Sequence, residues 1–153
     1  MFHLKEGDKA PVFQGRDQNG KLVSLKDYKG KKVILFFYPK DSTATCTVQA
    51  CNLRDNYSDL TGKGYEVVGV SADGEKSHQK FINKNQLPYT LLADEDRSIL
   101  EQYGVWGEKK FMGRVYDGIH RTTFLINENG IIDKIIRKPQ SKRHTDEILE
   151  IWK

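Results

Sequence analysis

Two residues in this chain could serve both as nucleophile and as redox centre. They are Cys46 and Cys51, its only cysteines. Both lie in FFYPKDSTATCTVQACNLRD, residues 36–55. A spacing of five is neither the CxxC of a dithiol redox pair nor ordinary zinc-ligand spacing. None of the four histidines falls at ligand spacing from them. The thiolate is the reactive form of cysteine, and the positive end of a helix, with its unpaired N–H groups, favours it. Cys46 falls where a strand-like run gives way to a helical stripe, with Thr43 and Thr45 just upstream. A thiolate, backbone N–H donors and a hydroxyl suit attack on a small polar electrophile whose leaving oxygen gains negative charge. A peroxide fits that description. The product on sulfur is a sulfenic acid, which condenses with a nearby thiol. The bland alternative is that Cys46 packs on the stripe as a small hydrophobe. The residues alone leave these two readings level.

The elements that must position the thiols are legible around them. VILFFYP, residues 33–39, is a continuous apolar run of the kind buried on both faces of a parallel sheet. YEVVGVSAD, residues 65–73, reads the same way. Between them Cys46, Ala50, Leu53, Tyr57 and Leu60 form one helical stripe, so the stretch is a βαβ unit. Asp73 is placed to cap a second helix through GEKSHQKFINKN, with Phe81 and Ile82 inward and His78 on its exposed side. YTLLAD is a short strand, and RSILEQYG a short helix ending at Gly104. RTTFLIN and GIIDKIIR form a hairpin across the turn at Gly130. RHTDEILEIWK closes the chain as an amphipathic helix, and VFQGRDQNGKLVSL is a small hairpin around Asn19-Gly20. The expected fold is α/β: a central mixed sheet flanked by helices, thioredoxin-like in order, with an N-terminal β-hairpin extension.

Length and charge bound the rest. At 153 residues the chain is expected to be a single domain, 1–153, with core enough to need no disulfide or metal staple. The net charge of +4 is spread among 21 acidic residues. The densest basic cluster, IRKPQSKRH at residues 136–144, reads first as a solvated loop before the last helix rather than as an anion-binding patch. No nucleic-acid partner is expected. The absence of a signal-like or membrane-spanning apolar run points to a cytoplasmic protein without a membrane partner.

The stretch YPKDSTATC resembles the active-site pattern of the peroxiredoxins: a proline, three residues, a threonine, two residues and a cysteine, here Pro39, Thr43 and Cys46. A second cysteine five residues on resembles the peroxiredoxin Q, or bacterioferritin comigratory protein, branch. The similarity continues through VVGVSAD, YTLLADED and YGVWGEKKFMGRVYDGIHRTTFLIN to the closing helix, essentially the whole chain. It implies a thiol-dependent peroxidase for hydrogen peroxide or small alkyl hydroperoxides, with no cofactor and no metal. Cys46 is then the peroxidatic cysteine and Cys51 the resolving one, joined in an intramolecular disulfide that thioredoxin or a similar dithiol reduces. Thr43 hydrogen-bonds peroxide, Pro39 shields the thiolate and Arg121 completes the site. A monomer or weak dimer is expected. Two features depart from the branch. Thr43-Ala44-Thr45-Cys46 stands where Thr-Pro-Gly-Cys is common, and Gln49 stands where glutamate is usual. The alternatives on this fold are a disulfide oxidoreductase acting on proteins and a non-catalytic binding or chaperone module.

Overall fold

The computed structural model describes residues 3–152. The strands are β1 (Gln14–Asp17), β2 (Leu22–Ser24), β3 (Lys32–Phe37), β4 (Tyr65–Ser71), β5 (Thr90–Ala93), β6 (Trp106–Phe111), β7 (Arg114–Ile119), β8 (Thr122–Ile126) and β9 (Ile132–Ile136). The α-helices are α1 (Ala44–Asp55), α2 (Tyr57–Gly62), α3 (Glu75–Asn85), α4 (Ser98–Gln102) and α5 (His144–Ile151). Seven strands form one mixed sheet in the order β2-β1-β5-β4-β3-β8-β9. β3, β4 and β5 run parallel, while β8 is antiparallel to β3 and β1 is antiparallel to β5.

β3 explains why the sheet needs cover on both sides. Val33, Leu35 and Phe37 point into one apolar cluster with Leu100, Tyr103 and Phe124. Ile34, Phe36 and Tyr38 alternate into a second cluster with Leu53, Phe81 and Ile148. Period two sends neighbours to opposite faces, so an unbroken apolar run is required here, and each such buried side chain contributes about 1.5–3 kcal/mol. Helices α1, α2, α3 and α5 supply residues to the second cluster and α4 to the first. The expected βαβ unit and mixed sheet are present.

The structure adds detail to these expectations and revises two of them. The stripe from Cys46 to Leu60 is two helices, broken at Asn56, rather than one. The expected N-terminal hairpin is present as β1–β2, and β1 also pairs with β5, which joins it to the main sheet. Gly74, not Asp73, is the N-cap of α3. A second hairpin, β6–β7, went unread in the sequence; its two strands pair only with each other. Phe111, Met112, Val115 and Tyr116 are exposed on it, so no buried face imposes a period on its sequence. The turn at Met112-Gly113, where both residues take positive φ, was the available signal.

Candidate active site

The parallel β3–β4 pair ends where the chain turns at Pro39, and α1 begins at Ala44 with Thr43 as N-cap. Cys46 therefore lies in the first turn of α1, close to its unpaired N–H groups. Apolar packing on the stripe buries it, leaving 1% exposed. β8 enters the sheet antiparallel to β3, with Phe37 opposite Thr122. That register puts Arg121, the residue before β8, beside the chain leaving β3. Arg121 donates from Nη2 to Cys46 Sγ at 3.1 Å and from Nη1 to Gln49 Oε1 at 2.6 Å. Cys46 and Gln49 are three apart on α1, hence on one face, and the planar guanidinium bridges both. The neutral Gln49 keeps the contact to Arg121 as a charge-assisted hydrogen bond. Its Nε2 is buried and has no partner among the described residues.

Of the sequence-predicted residues, the fold brings Cys46 and Arg121 into contact although they are 75 positions apart. Thr43 and Pro39 lie on the connecting loop, and Thr43 Oγ1 donates to the Lys40 carbonyl at 2.9 Å. Cys51 is in the same unbroken helix as Cys46, half-buried, and its thiol faces Asn85 Oδ1 of α3 at 3.7 Å. Both thiols are free. The departure at Ala44-Thr45 leaves the helix start intact, since α1 opens at Ala44 without proline or glycine. Trp106 packs against the core and under the Arg97 guanidinium, 4.8 Å from the ring centre, as an ordinary packed aromatic would.

Three further residues have surroundings that the sequence did not reveal. Lys109 of β6 donates to the Ile119 carbonyl; burial, then Arg121, lowers its pKa, while Cys46 opposes this. His144 is fully buried at the start of α5. Its Nδ1 donates to Glu147 Oε1 at 2.9 Å and its Nε2 accepts from Thr123 Oγ1 at 2.9 Å. Burial lowers the His144 pKa, Glu147 opposes that, and Arg121 lowers it further, so the ring is neutral. His78, expected on an exposed face, is fully buried. It stands at i, i+3 and i+4 with Phe81 and Ile82, a spacing that marked it as inward. The basic cluster lies largely exposed in the stretch before α5. Arg137, Lys138 and Pro139 line a cavity of about 320 Å³ together with Lys109, His120 and Arg121.

Residues 6–135 match the model of the AhpC/TSA family. The chain is 51% identical over 150 residues to the putative peroxiredoxin bcp of Haemophilus influenzae, covering 98% of this chain and 97% of that one. It is 48% identical to Peroxiredoxin Bcp of Escherichia coli, covering 97% and 96%. The bacterioferritin comigratory protein of Xanthomonas campestris, solved in a study of its alkyl peroxide reduction activity, superposes with a TM-score of 0.84. It is 29% identical, over 90% of this chain and 88% of that one. Among the described residues no helix is long and apolar enough to cross a membrane. A reactive-thiol geometry at the start of α1, a thioredoxin-like sheet and these relatives agree: the chain belongs to the AhpC/TSA family, in its Bcp/peroxiredoxin Q branch, and is a thiol-dependent peroxidase.

Proposed function

We propose that Cys46 is the peroxidatic cysteine and Cys51 the resolving cysteine of a single domain, residues 1–153. The observation that carries this is the Arg121 guanidinium held between Cys46 Sγ and Gln49 Oε1. A permanent cation on the sulfur stabilises negative charge there, and the helix start adds to it. The Cys46 thiolate attacks one peroxide oxygen, the O–O bond breaks, and the other oxygen leaves as water or alcohol after taking a proton. Cys46 is left as sulfenic acid. The Thr43 hydroxyl donates its hydrogen bond to the Lys40 carbonyl, which leaves its lone pairs to accept the peroxide O–H. Pro39 closes the loop against water. The Cys51 sulfur then attacks Cys46 Sγ, water leaves, and an intramolecular disulfide forms. Thioredoxin or a similar dithiol reduces it by exchange. Hydrogen peroxide and small alkyl hydroperoxides are the proposed substrates, and the alkyl peroxide activity named for the Xanthomonas campestris relative supports the second class. The reaction is assigned to the cytoplasm.

The helix gives this cycle a conformational step. In one continuous α-helix, five residues separate two Cα atoms by a rise of about 7.5 Å and a turn of about 140°, hence about 8.7 Å. A disulfide needs Cα atoms within about 6.8 Å and facing side chains. Since α1 runs unbroken from Ala44 to Asp55, its first turns have to unwind for Cys51 to reach Cys46. Peroxide consumption with dithiothreitol tests the roles. Cys46→Ser abolishes it, while Cys51→Ser, given peroxide with no thiol added, completes one turnover and stops as sulfenic acid. Hydrogen exchange tests the unwinding: oxidation removes protection from amides 47–54 and leaves amides 33–37 protected. Equal protection in both states, with the disulfide confirmed by mass, excludes the unwinding step.

A further inference from the structure

The turn that leads from β3 to α1 is held by a buried polar cluster that takes no part in the chemistry above. Asp41, two residues past Pro39, is 5% exposed. Its Oδ1 accepts from the Tyr38 hydroxyl at 2.5 Å, and its Oδ2 accepts from the Ser77 hydroxyl at 2.8 Å. The same Oδ2 lies 2.6 Å from His78 Nδ1. The other ring nitrogen, His78 Nε2, lies 2.8 Å from the Leu92 carbonyl of β5. A carbonyl only accepts, so Nε2 carries a proton; a carboxylate accepts at Nδ1, so that nitrogen carries one too. The backbone of Asp41 is tied as well, its N–H donating to Asp73 Oδ2 at 2.8 Å, and Ser71 Oγ donates to the same oxygen. Ligand atoms of Asp41, Asp73 and His78 lie within 4.8 Å of one another, but both ring nitrogens are already engaged by protein acceptors.

The next residue has the opposite character. Ser42 has φ +63°, in the left-handed region that a residue with a Cβ adopts only when its surroundings impose it. Thr43, the N-cap of α1, follows directly. The loop therefore has a clamped end at Asp41 and a strained joint at Ser42, and everything beyond the joint is the helix that carries Cys46.

We propose that His78, as a buried imidazolium, and Asp41 are positioning residues for peroxide reduction: the pair clamps the loop to α3 and β5, and thereby sets where Thr43 stands relative to Cys46. Neither residue touches the sulfur. This rests on the reading of Thr43 and Cys46 given above and adds the group that holds them in register. The groups facing the ring are Asp41 and Tyr38 from the end of β3, Asp73 from the end of β4, Ser77 on α3 and the Leu92 carbonyl on β5. Burial alone works against a charge on the ring. The Asp41 hydrogen bond and charge, the Leu92 carbonyl and Asp73 outweigh it and raise its pKa. Burial, then Asp41, pushes Tyr38 well up, so that its hydroxyl stays a donor.

The test uses reduced full-length protein in a Cys51→Ser background, so that only Cys46 reacts. Two rates are compared: oxidation by hydrogen peroxide, which needs the loop, and alkylation by iodoacetamide, which needs only the sulfur and its cation. His78→Leu is expected to slow the peroxide reaction on the order of tenfold to a hundredfold, with alkylation unchanged. His78→Asn, which keeps a donor toward Asp41, is expected to recover part of that loss. In the wild type the two ¹⁵N ring signals of His78 at neutral pH are expected to be those of an imidazolium. Wild-type peroxide rates in the folded variants overturn the proposal. So do peroxide and alkylation rates that fall together, or ring signals of a neutral tautomer. If His78→Leu does not fold, His78→Asn and the ring signals decide. Thr43→Val is measured alongside. If it keeps the wild-type peroxide rate, the role given to Thr43 fails, whatever the His78 variants do.

Discussion

His78 and His144 are both fully buried, and their surroundings drive them to opposite protonation states. His78 has an acceptor at each nitrogen, the Asp41 carboxylate and the Leu92 carbonyl, and its pKa is raised against the cost of burial. His144 has the Glu147 carboxylate on one nitrogen and a hydroxyl on the other, with the charge of Arg121 nearby, and its pKa is lowered, by burial above all. A hydroxyl can donate where a carbonyl cannot, and that difference of one partner lets the second ring stay neutral. A charged ring clamps the loop before α1. A neutral one packs close to Arg121 without adding a second cation beside the guanidinium that holds the sulfur. Burial by itself predicts a neutral ring at both sites; the partners reverse that at His78 and do not at His144.

The contrast can be broken most severely at Arg121. Arg121→Ala removes the cation from Cys46 and is expected to lower kcat/KM for peroxide by about 10²–10³, or about 2.7–4 kcal/mol of barrier. It also removes one of the influences that lower His144, so the His144 ring is expected to titrate closer to its ordinary value. Steady-state kinetics and NMR titration check the two halves. An unchanged peroxidase excludes Arg121 from the site.

The pH dependence of stability separates the two rings by sign. An unfolded histidine titrates near about 6.5. His78, raised in the folded protein, contributes stability that is fully present below that value and is lost as pH rises through its folded pKa. His144, lowered, works the other way. As pH falls below about 6.5 the unfolded chain takes up a proton that the folded ring refuses, and stability declines until the folded pKa is passed. Each contributes at most about 1.4 kcal/mol per pH unit. Denaturant unfolding across pH is expected to flatten on the alkaline side in His78→Asn and on the acid side in His144→Asn. The reverse assignment would mean that the protonation states are exchanged.

Gln49→Glu is the mildest change. It sets a carboxylate against Arg121, which draws part of the guanidinium's field away from Cys46. Iodoacetamide alkylation of Cys46 is expected to slow several-fold, the size of about 1 kcal/mol, with the fold retained. Faster alkylation would show that the neutral amide does not concentrate the cation on the sulfur.

Much of the proposed site was legible because it is written in one short segment. Pro39, Thr43, Cys46 and Cys51 lie within 13 consecutive residues, and the apolar run of β3 followed by a stripe at helical spacing locates them at a strand end and a helix start. The two-faced burial of β3 was equally plain, since only a strand covered on both sides tolerates an unbroken run. Arg121 could be placed only through the family resemblance, because its contact with Cys46 depends on the antiparallel register of β8 against β3. His78 was misread as exposed although its spacing to Phe81 and Ile82 argued otherwise. Its acceptors come from the loop after β3 and from β5, 37 and 14 residues away. Asp73 was misread as a helix cap because a capping residue and a loop clamp look alike in sequence. The β6–β7 hairpin escaped because periodicity reports a buried face, and its strands bury little.

By itself the sequence determined the thiol pair, its spacing, the helix that keeps the two sulfurs apart and the sheet from which that helix springs. All of these follow from local periodicity and from residue types whose chemistry travels with them. Only the tertiary structure decided which cation meets the sulfur, which histidine is charged and which loop is clamped. Those outcomes depend on what a side chain faces across the fold, and the energies involved, hydrogen bonding and desolvation, are set by atoms that the linear order leaves far apart.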